Sequence, residues 1–110
     1  MQLENTRIYQ RSLELVDVAK AVMEQLPTGY AFLSDQLKRA ASSVVLNYAE
    51  GWGRTGPRER RRFFNIARAS AHEVAAILDV AFRFGVVEEA THTKGKDVSD
   101  HVSAMLYRYR

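Results

Sequence analysis

The sequence predicts an all-α protein whose helices form an antiparallel up-down four-helix bundle. Apolar residues recur at helical spacing along most of the 110 residues. The only two prolines, Pro27 and Pro57, fall between such stretches, where connections are expected. No segment shows the alternation of a strand, and amphipathic helices with short links favour a bundle. The length suits one domain, residues 1–110.

The first two helices are expected at about residues 5–26 and 34–52. Pro27-Thr28-Gly29 ends the apolar pattern of the first helix. Ser34 suits the N-cap of the second, because its hydroxyl can accept a hydrogen bond from a free backbone amide. Gly51 and Gly53 suit a left-handed cap at the end of that helix.

The third helix is expected at about residues 57–84, with Pro57 in its first turn and Gly85 as its stop. It carries two adjacent apolar stripes, which exceed what one surface helix of a monomer needs. Either this helix is packed on both sides within the bundle, or one stripe forms a subunit interface. The first stripe comprises Phe63, Ala67, Ser70, Val74, Ile77, Ala81 and Phe84, and the second Phe64, Ala71, Ala75, Leu78 and Phe82.

The fourth helix is expected at about residues 88–109 and has the weakest pattern. Gly95 and the threonines at 91 and 93 have low helix propensity. A break near Gly95 therefore stays open.

Positive charge is concentrated in residues 54–68, which hold six arginines and one glutamate, whereas the rest of the chain balances to −2. Such a segment is either a solvated helix start or a surface for a polyanion. Arginines in the first turns of a helix oppose its dipole, which favours a binding role or specific ion pairs. The candidate nucleic-acid contacts are Arg54, Arg58, Arg60, Arg61, Arg62 and Arg68, with Trp52 or Tyr48 for base stacking.

Other chemistry finds little support in the residues. The chain has no cysteine, and His72, His92 and His101 share no helix face. One Glu-x-x-His spacing occurs where a di-iron bundle needs two, and no phosphate-binding loop is present. We therefore expect no metal, no cofactor and no enzymatic activity. The absence of a signal-like start or a long apolar run predicts a cytoplasmic protein without membrane contact.

A polar stripe on the second helix predicts an interhelical network with the third. If the two helices pack antiparallel about a turn near residues 53–57, Arg39 faces Glu73 and Glu50 faces an arginine. The partner of Glu50 would be Arg61 or Arg62. Ser43 and Asn47 would reach Asn65 and Arg68.

Two sequence blocks carry a resemblance to a known family. The first runs from Gln36 to Val44 and continues as Asn47-Tyr48-Ala49-Glu50-Gly51 and Arg54; the second runs from Phe63 to Ser70 and ends at Glu73. These blocks resemble the four-helix-bundle family, also called the 23S ribosomal RNA intervening-sequence proteins. The resemblance covers about residues 8–87, and the last helix matches in length and placement alone. Ala69 stands where the family usually has glycine, which suggests wider helix packing there.

The resemblance implies a bacterial four-helix bundle that assembles into a ring-like homopentamer. A related protein, the accessory variability determinant of diversity-generating retroelements, is a basic pentamer that binds nucleic acid and a reverse transcriptase. By the same resemblance, Asn47, Glu50 and Gly51 would define the fold without being catalytic. The full set of residues expected to have a structural role is Arg39, Ser43, Asn47, Glu50, Gly51, Ser70 and Glu73.

Two functions stay open at this point. The first is a nucleic-acid-binding oligomer, with RNA favoured over DNA, that uses the arginine-rich corner between the second and third helices. The second is a structural adaptor that holds a protein partner and uses its arginines in ion pairs between helices and subunits.

Overall fold

A computed structural model describes residues 1–110 and confirms the all-α, four-helix fold. A short 3₁₀ turn, Leu3–Asn5, precedes the helices, and there are no strands. No helix has an apolar stretch of the length that crossing a bilayer requires. The helices are α1 (Arg7–Gln25), α2 (Ala31–Gly53), α3 (Pro57–Arg83) and α4 (Glu89–Tyr107).

Each helix packs against two others, and the four share one core. The neighbours in space are α1 with α2, α2 with α3, α3 with α4, and α4 with α1. A single cluster of 22 buried apolar residues joins all four helices, so the chain has one hydrophobic core. Its largest fully buried members include Leu15, Leu37, Leu78 and Leu106.

The start of α1 agrees with the sequence. Thr6 is the N-cap, and its hydroxyl accepts from the backbone amide of Tyr9 at 3.3 Å. The same hydroxyl donates to the carbonyl of Leu3 at 2.9 Å and accepts from the Tyr48 hydroxyl at 3.1 Å. The cap thereby ties the beginning of α1 to the second half of α2.

The start of α2 does not agree with the sequence. The helix begins at Ala31 after Tyr30, three residues before the predicted N-cap Ser34, and no side chain caps it. The amide of Tyr30 donates to the carbonyl of Pro27 at 3.3 Å, so the preceding turn is closed by the backbone. The extra turn brings Leu33 into the core. Tertiary burial, not a capping side chain, sets this boundary.

The predicted left-handed cap of α2 is also wrong. Positive φ angles occur only at Gly29 and Gly85, while α2 continues through Gly53 and ends in extended backbone. Gly51 serves close packing instead. A Cβ at this position would lie 2.7 Å from two ring carbons of Phe64, which is too close for undisturbed packing.

The end of α3 falls where glycine predicts it. Gly85 has φ 74°, its amide donates to the carbonyl of Phe82 at 2.9 Å, and the amide of Val86 donates to Ala81 at 3.1 Å. This is the arrangement that glycine favours after a helix. The middle of both apolar stripes is buried within the chain, as at Val74 and Leu78. The second apolar stripe is therefore explained by a helix that packs on two sides within the bundle.

Helix α4 runs without a break through Gly95. This residue is buried, and a Cβ there would meet the Leu78 side chain at 2.5 Å and Val18 at 3.0 Å. Gly95 therefore permits α4 to approach α1 and α3 closely. Its low helix propensity is outweighed by this contact.

Candidate nucleic-acid interface

The arginine corner forms where α2 ends and α3 begins. Of the six arginines predicted from the sequence, Arg54 lies in the link at residues 54–56 and the other five lie on the first half of α3. Arg54, Arg58, Arg61 and Arg62 are exposed, whereas Arg60 and Arg68 are partly buried. The corner therefore contains arginines of different kinds.

Arg60 is held by the end of α2. Its Nε donates to the carbonyl of Gly51 at 3.2 Å, and its Nη2 donates to the carbonyl of Trp52 at 3.4 Å. The guanidinium also lies over the ring of Trp52 at 5.6 Å from the centroid. A positive charge that donates to the last carbonyls of a helix is favourable. Arg60 is unfavourable at the start of α3, where it opposes the helix dipole, but it stabilises the end of α2.

Arg54 and Arg62 flank Phe63, and each pairs with a glutamate that is near it in the sequence. Their guanidiniums lie 5.0 Å and 5.1 Å from the Phe63 ring centroid. Arg54 contacts Glu50 at 2.8 Å, and Arg62 contacts Glu59 at 3.8 Å. Both pairs are about half exposed, so each contributes about 0–1 kcal/mol.

The predicted interhelical ion pairs do not form. Glu50 pairs with Arg54, the residue that follows α2, and not with Arg61 or Arg62 of α3. Arg39 and Glu73 are both exposed and make no salt bridge.

The contact between α2 and α3 in the middle of this polar stripe is a pair of hydroxyls. Ser43 Oγ lies 2.7 Å from Ser70 Oγ, and Asn47 Nδ2 donates to the Ser43 hydroxyl and carbonyl at 2.9 Å each. The predicted reach of Ser43 and Asn47 to Arg68 and Asn65 is therefore wrong. Small hydroxyls replace charged groups here because the two helices approach closely along this line. Ala69 is exposed and lies outside this contact, so the wider packing expected from it does not arise.

Arg58 and Arg61 are exposed and form no salt bridge. Four of the six arginines have no carboxylate partner, and Arg58 and Arg61 are the exposed ones among these four. Of the six predicted arginines, these two are the ones available to a ligand without first releasing another contact.

A cleft opens beside the corner, and the segment after α4 completes it. We call it the basic cleft; its volume is about 490 Å³. The ring of Tyr109 packs edge-on against Phe64 with centroids 4.9 Å apart, which brings the end of the chain to the start of α3. The lining consists of four rings, Tyr48, Trp52, Phe64 and Tyr109, together with Pro57 and the arginines Arg60, Arg61 and Arg108.

Arg108 and Tyr109 line the cleft and are site residues that the sequence analysis missed. Arg68 lies over the ring of Tyr107 at 5.1 Å, and Arg110 lies over the same ring at 3.7 Å. The alternation of arginine and tyrosine in residues 107–110 is the signal that was available in the sequence.

Tyr48 is buried, which removes it as a base-stacking residue. It is 3% exposed, and its ring stacks on Phe64 at 5.2 Å. Burial raises the pKa of its hydroxyl, against the opposing effect of the hydrogen bond with Thr6. Tyr48 forms the floor of the basic cleft, and the exposed ring edges belong to Trp52 and Tyr109.

The end of the molecule where α3 finishes and α4 starts has an aspartate that is hydrogen-bonded to a histidine and a lysine. We call this group the Asp79 cluster: Asp79 Oδ1 lies 2.8 Å from His92 Nε2, and Lys96 Nζ donates to Asp79 Oδ2 at 2.7 Å. The hydrogen bonds from Lys96 and then His92 lower the pKa of the Asp79 carboxyl. The His92 ring also stacks on Phe82 at 4.3 Å.

Comparisons with known proteins identify relatives of this chain. The family model described as "23S rRNA-intervening sequence protein" matches residues 4–108, which includes the last helix as well as the two blocks recognised in the sequence. A crystal structure from Bacteroides thetaiotaomicron, described as a protein of unknown function from the S23 ribosomal protein family, superposes with a TM-score of 0.84. It is 18% identical in sequence, and the match covers 92% of this chain and 95% of that one, so it shows the shared fold. No curated protein matches the chain.

Proposed function

This chain belongs to the 23S rRNA-intervening sequence protein family, and we propose that it is a non-enzymatic protein that binds RNA at the basic cleft. The observation that carries the proposal is the meeting of unpaired, exposed arginines with aromatic rings in one cleft. Guanidinium groups hold phosphates, and aromatic rings accept stacked bases. The family name refers to an intervening sequence of 23S rRNA, which favours RNA over another polyanion. Such a ligand would place the protein in the bacterial cytoplasm.

The arginines are proposed to have three different roles in binding. Arg58, Arg61 and Arg108 are exposed without an ion pair and would contact phosphates first. Arg54 and Arg62 can exchange a weak glutamate contact for a phosphate. Arg60 is fixed on the carbonyls of α2 and supplies positive potential from a constant position.

The helices are proposed to alternate in direction, as in an up-down bundle. In support, Ser43 contacts Ser70, a Cβ on Gly51 would touch Phe64, and the Tyr30 ring lies 5.7 Å from Phe84. The position along α3 falls as the position along α2 rises, which is the pattern of an antiparallel pair.

The functional unit is proposed to be a homopentameric ring. Leu46, Ile66 and Val80 are apolar residues left exposed on α2 and α3, and Leu46 is 65% exposed. Ile66 and Val80 are 14 residues apart, close to four helical turns, so they share one side of α3. A ring would present five basic clefts, and avidity would strengthen a weak single site. Sedimentation or native mass spectrometry that returns a monomer at working concentration would contradict the ring.

RNA binding is tested by titration at two salt concentrations with single-stranded RNA, and DNA of the same sequence for comparison. With 6–10 phosphate contacts around a ring, affinity should fall by about 10³–10⁵ between ~50 and ~200 mM salt. The double variant Arg58→Gln/Arg61→Gln should bind more weakly and lower the salt slope by about two for each basic cleft that contacts the RNA. The control Lys38→Gln/Arg83→Gln removes the same charge away from the cleft and should leave affinity nearly unchanged. No binding at ~50 mM salt would rule the function out.

A structural adaptor is the second candidate, because Arg54 and Arg62 already have carboxylate partners. In that case the exposed apolar residues of α2 and α3 would hold a different protein. The adaptor is favoured if the protein fails to bind nucleic acid at low salt and the Leu46→Arg variant loses a co-purifying partner while its helical content stays unchanged.

A further inference from the structure

The basic cleft has the shape and lining of a site for a single unstacked base. Its volume of about 490 Å³ lies within the roughly 300–1,000 Å³ of pockets that enclose small organic ligands. Its floor is apolar, since Tyr48 and Phe64 are both 3% exposed. A flat patch of arginines would suffice to hold phosphates, so the recess between the rings requires a separate explanation.

Two rings are placed to contact a ligand that enters this recess. Tyr109 is 43% exposed although its edge packs against Phe64. Trp52 is half-buried, and Arg60 covers it at 5.6 Å while holding the carbonyl of Trp52 itself at 3.4 Å. The hydrogen bonds of Arg60 fix the backbone that carries the indole, so Trp52 is held in place before a ligand arrives.

The form of nucleic acid decides whether such a recess can be filled. In a duplex the bases are stacked and paired, so a protein surface meets mainly phosphates and sugars. In a single strand a base can turn outward and stack on an aromatic ring. Arg61 and Arg108 lie beside the rings, where the phosphates next to such a base would be.

We infer that the basic cleft accepts an unpaired base, with Trp52 and Tyr109 as the stacking residues, and that the protein therefore selects single-stranded over double-stranded RNA. This inference rests on the proposed RNA-binding function and specifies the ligand of the same site. It assigns a recognition role to Tyr109, which follows α4 and lies 57 residues beyond Trp52 in the sequence.

Trp52 is the only tryptophan of the chain, so fluorescence excited at wavelengths that tryptophan absorbs and tyrosine does not reports on the cleft alone. The experiment titrates the full chain at ~50 mM salt with a 12-nucleotide single-stranded RNA and with a 12-base-pair duplex that contains the same sequence. Fluorescence anisotropy of a dye on the RNA measures binding in parallel. The single strand should bind more tightly and quench Trp52, whereas the duplex should bind through phosphates with little quenching.

The variant Tyr109→Leu removes the ring but keeps an apolar contact for Phe64. It should weaken single-strand binding by about 5- to 100-fold, the effect of losing one base–aromatic stack, and leave duplex binding unchanged. Phe84→Leu removes an exposed aromatic ring from the other end of the molecule and should change neither. Circular dichroism of each variant confirms that the helices are intact.

The outcomes separate the two proposals. If both RNAs bind with equal affinity and Trp52 is unaffected, or if Tyr109→Leu weakens both equally, the inference is wrong while RNA binding stands. If neither RNA binds, both proposals fail. A polyglutamate peptide that quenches Trp52 as strongly as the single strand would also overturn the inference, because the cleft would then respond to negative charge alone.

Discussion

Two groups of charged residues, one near each end of α3, differ in how fully they are paired within the chain. At the start of α3, like charges crowd together: Arg58 and Arg61 lack carboxylate partners, and the glutamates nearby pair only with Arg54 and Arg62. At the end of α3, Asp79 takes hydrogen bonds from both His92 and Lys96 of α4. The Asp79 cluster satisfies its groups within the chain, whereas the arginine corner keeps positive charge available. A surface built for an external ligand is expected to show this second pattern.

The comparison also separates two kinds of arginine within the corner. Arg60 resembles the Asp79 cluster, because its donors are satisfied by the chain itself. Arg58 and Arg61 are different, since their side chains are exposed and form no salt bridge or hydrogen bond within the chain. Three pairs of substitutions test the two regions, and they are taken from the largest expected effect on stability to the smallest.

The largest effect is expected where the corner depends on close packing. Gly51→Ala places a Cβ 2.7 Å from the Phe64 ring, and the ring is rigid on the floor of the basic cleft. We expect a loss of about 1–3 kcal/mol in the free energy of unfolding, the usual cost of overpacking. Gly53→Ala is the matched control, because its Cβ would meet nothing within 4 Å and the helix should gain up to about 1 kcal/mol. Urea denaturation measures both. Equal stability of the two variants would show that the Gly51 contact is not tight.

A smaller effect separates the structural arginine from a binding arginine. Arg60→Gln should lower the free energy of unfolding by about 1 kcal/mol, because two carbonyls at the end of α2 lose a charged donor. Arg58→Gln should leave stability within about 0.5 kcal/mol of the parent, since an exposed arginine near a helix start adds no favourable charge. Thermal and urea unfolding followed by circular dichroism compare the pair. If Arg58→Gln were the more damaging change, the division between the two arginines would be wrong.

The smallest effect concerns the Asp79 cluster and depends on pH. The hydrogen bonds from Lys96 and His92 lower the pKa of Asp79 in the folded state, so its contribution is present above the unfolded pKa of about 3.9 and is lost as pH falls through the lower folded value. The Asp79 side chain is half exposed, so solvent screening limits the contribution to about 1 kcal/mol or less. Asp79→Asn should be less stable than the parent at neutral pH, and the difference should shrink below about pH 4.

Asp35→Asn is the control for this pH series. Asp35 is exposed and forms no salt bridge, so the variant should follow the parent at each pH. A difference between Asp79→Asn and the parent that stays constant down to pH 2 would mean that the side-chain amide disturbs packing and that the ion pairs matter little.

Local pattern was a good guide to the helices, since their start and stop signals act over a few residues. Pro57 and Gly85 mark helix ends in the sequence, and each does so in the structure. The two ends of α2 are the exceptions. The capping side chain of Ser34 was available, but the backbone-closed turn at Tyr30 and the burial of Leu33 extended α2 past it. The left-handed cap expected from Gly51 and Gly53 did not form.

Side-chain contacts between helices were predicted poorly. An antiparallel register predicts which turns of two helices lie side by side, but it does not predict which side chains form hydrogen bonds or ion pairs. Glu50 pairs with Arg54, four residues along the chain, and Ser43 forms a hydrogen bond with Ser70 where a charged partner was expected. The roles of Gly51 and Gly95 also depend on contacts with neighbouring helices. Glycine is compatible with a cap, a break or a close contact, and the choice depends on what a neighbouring helix places there.

By itself, the sequence determined the four-helix fold, the family and the concentration of positive charge in residues 54–68, since each follows from residues that are near one another in the chain. Only the tertiary structure decided which arginines are held by the protein and which are left exposed. It also brought Tyr109 against Phe64 and so turned a charged corner into a cleft. The physical reason is distance along the chain: packing of α4 on α1 and α3 sets where residues 108–110 lie, and no local pattern encodes that contact.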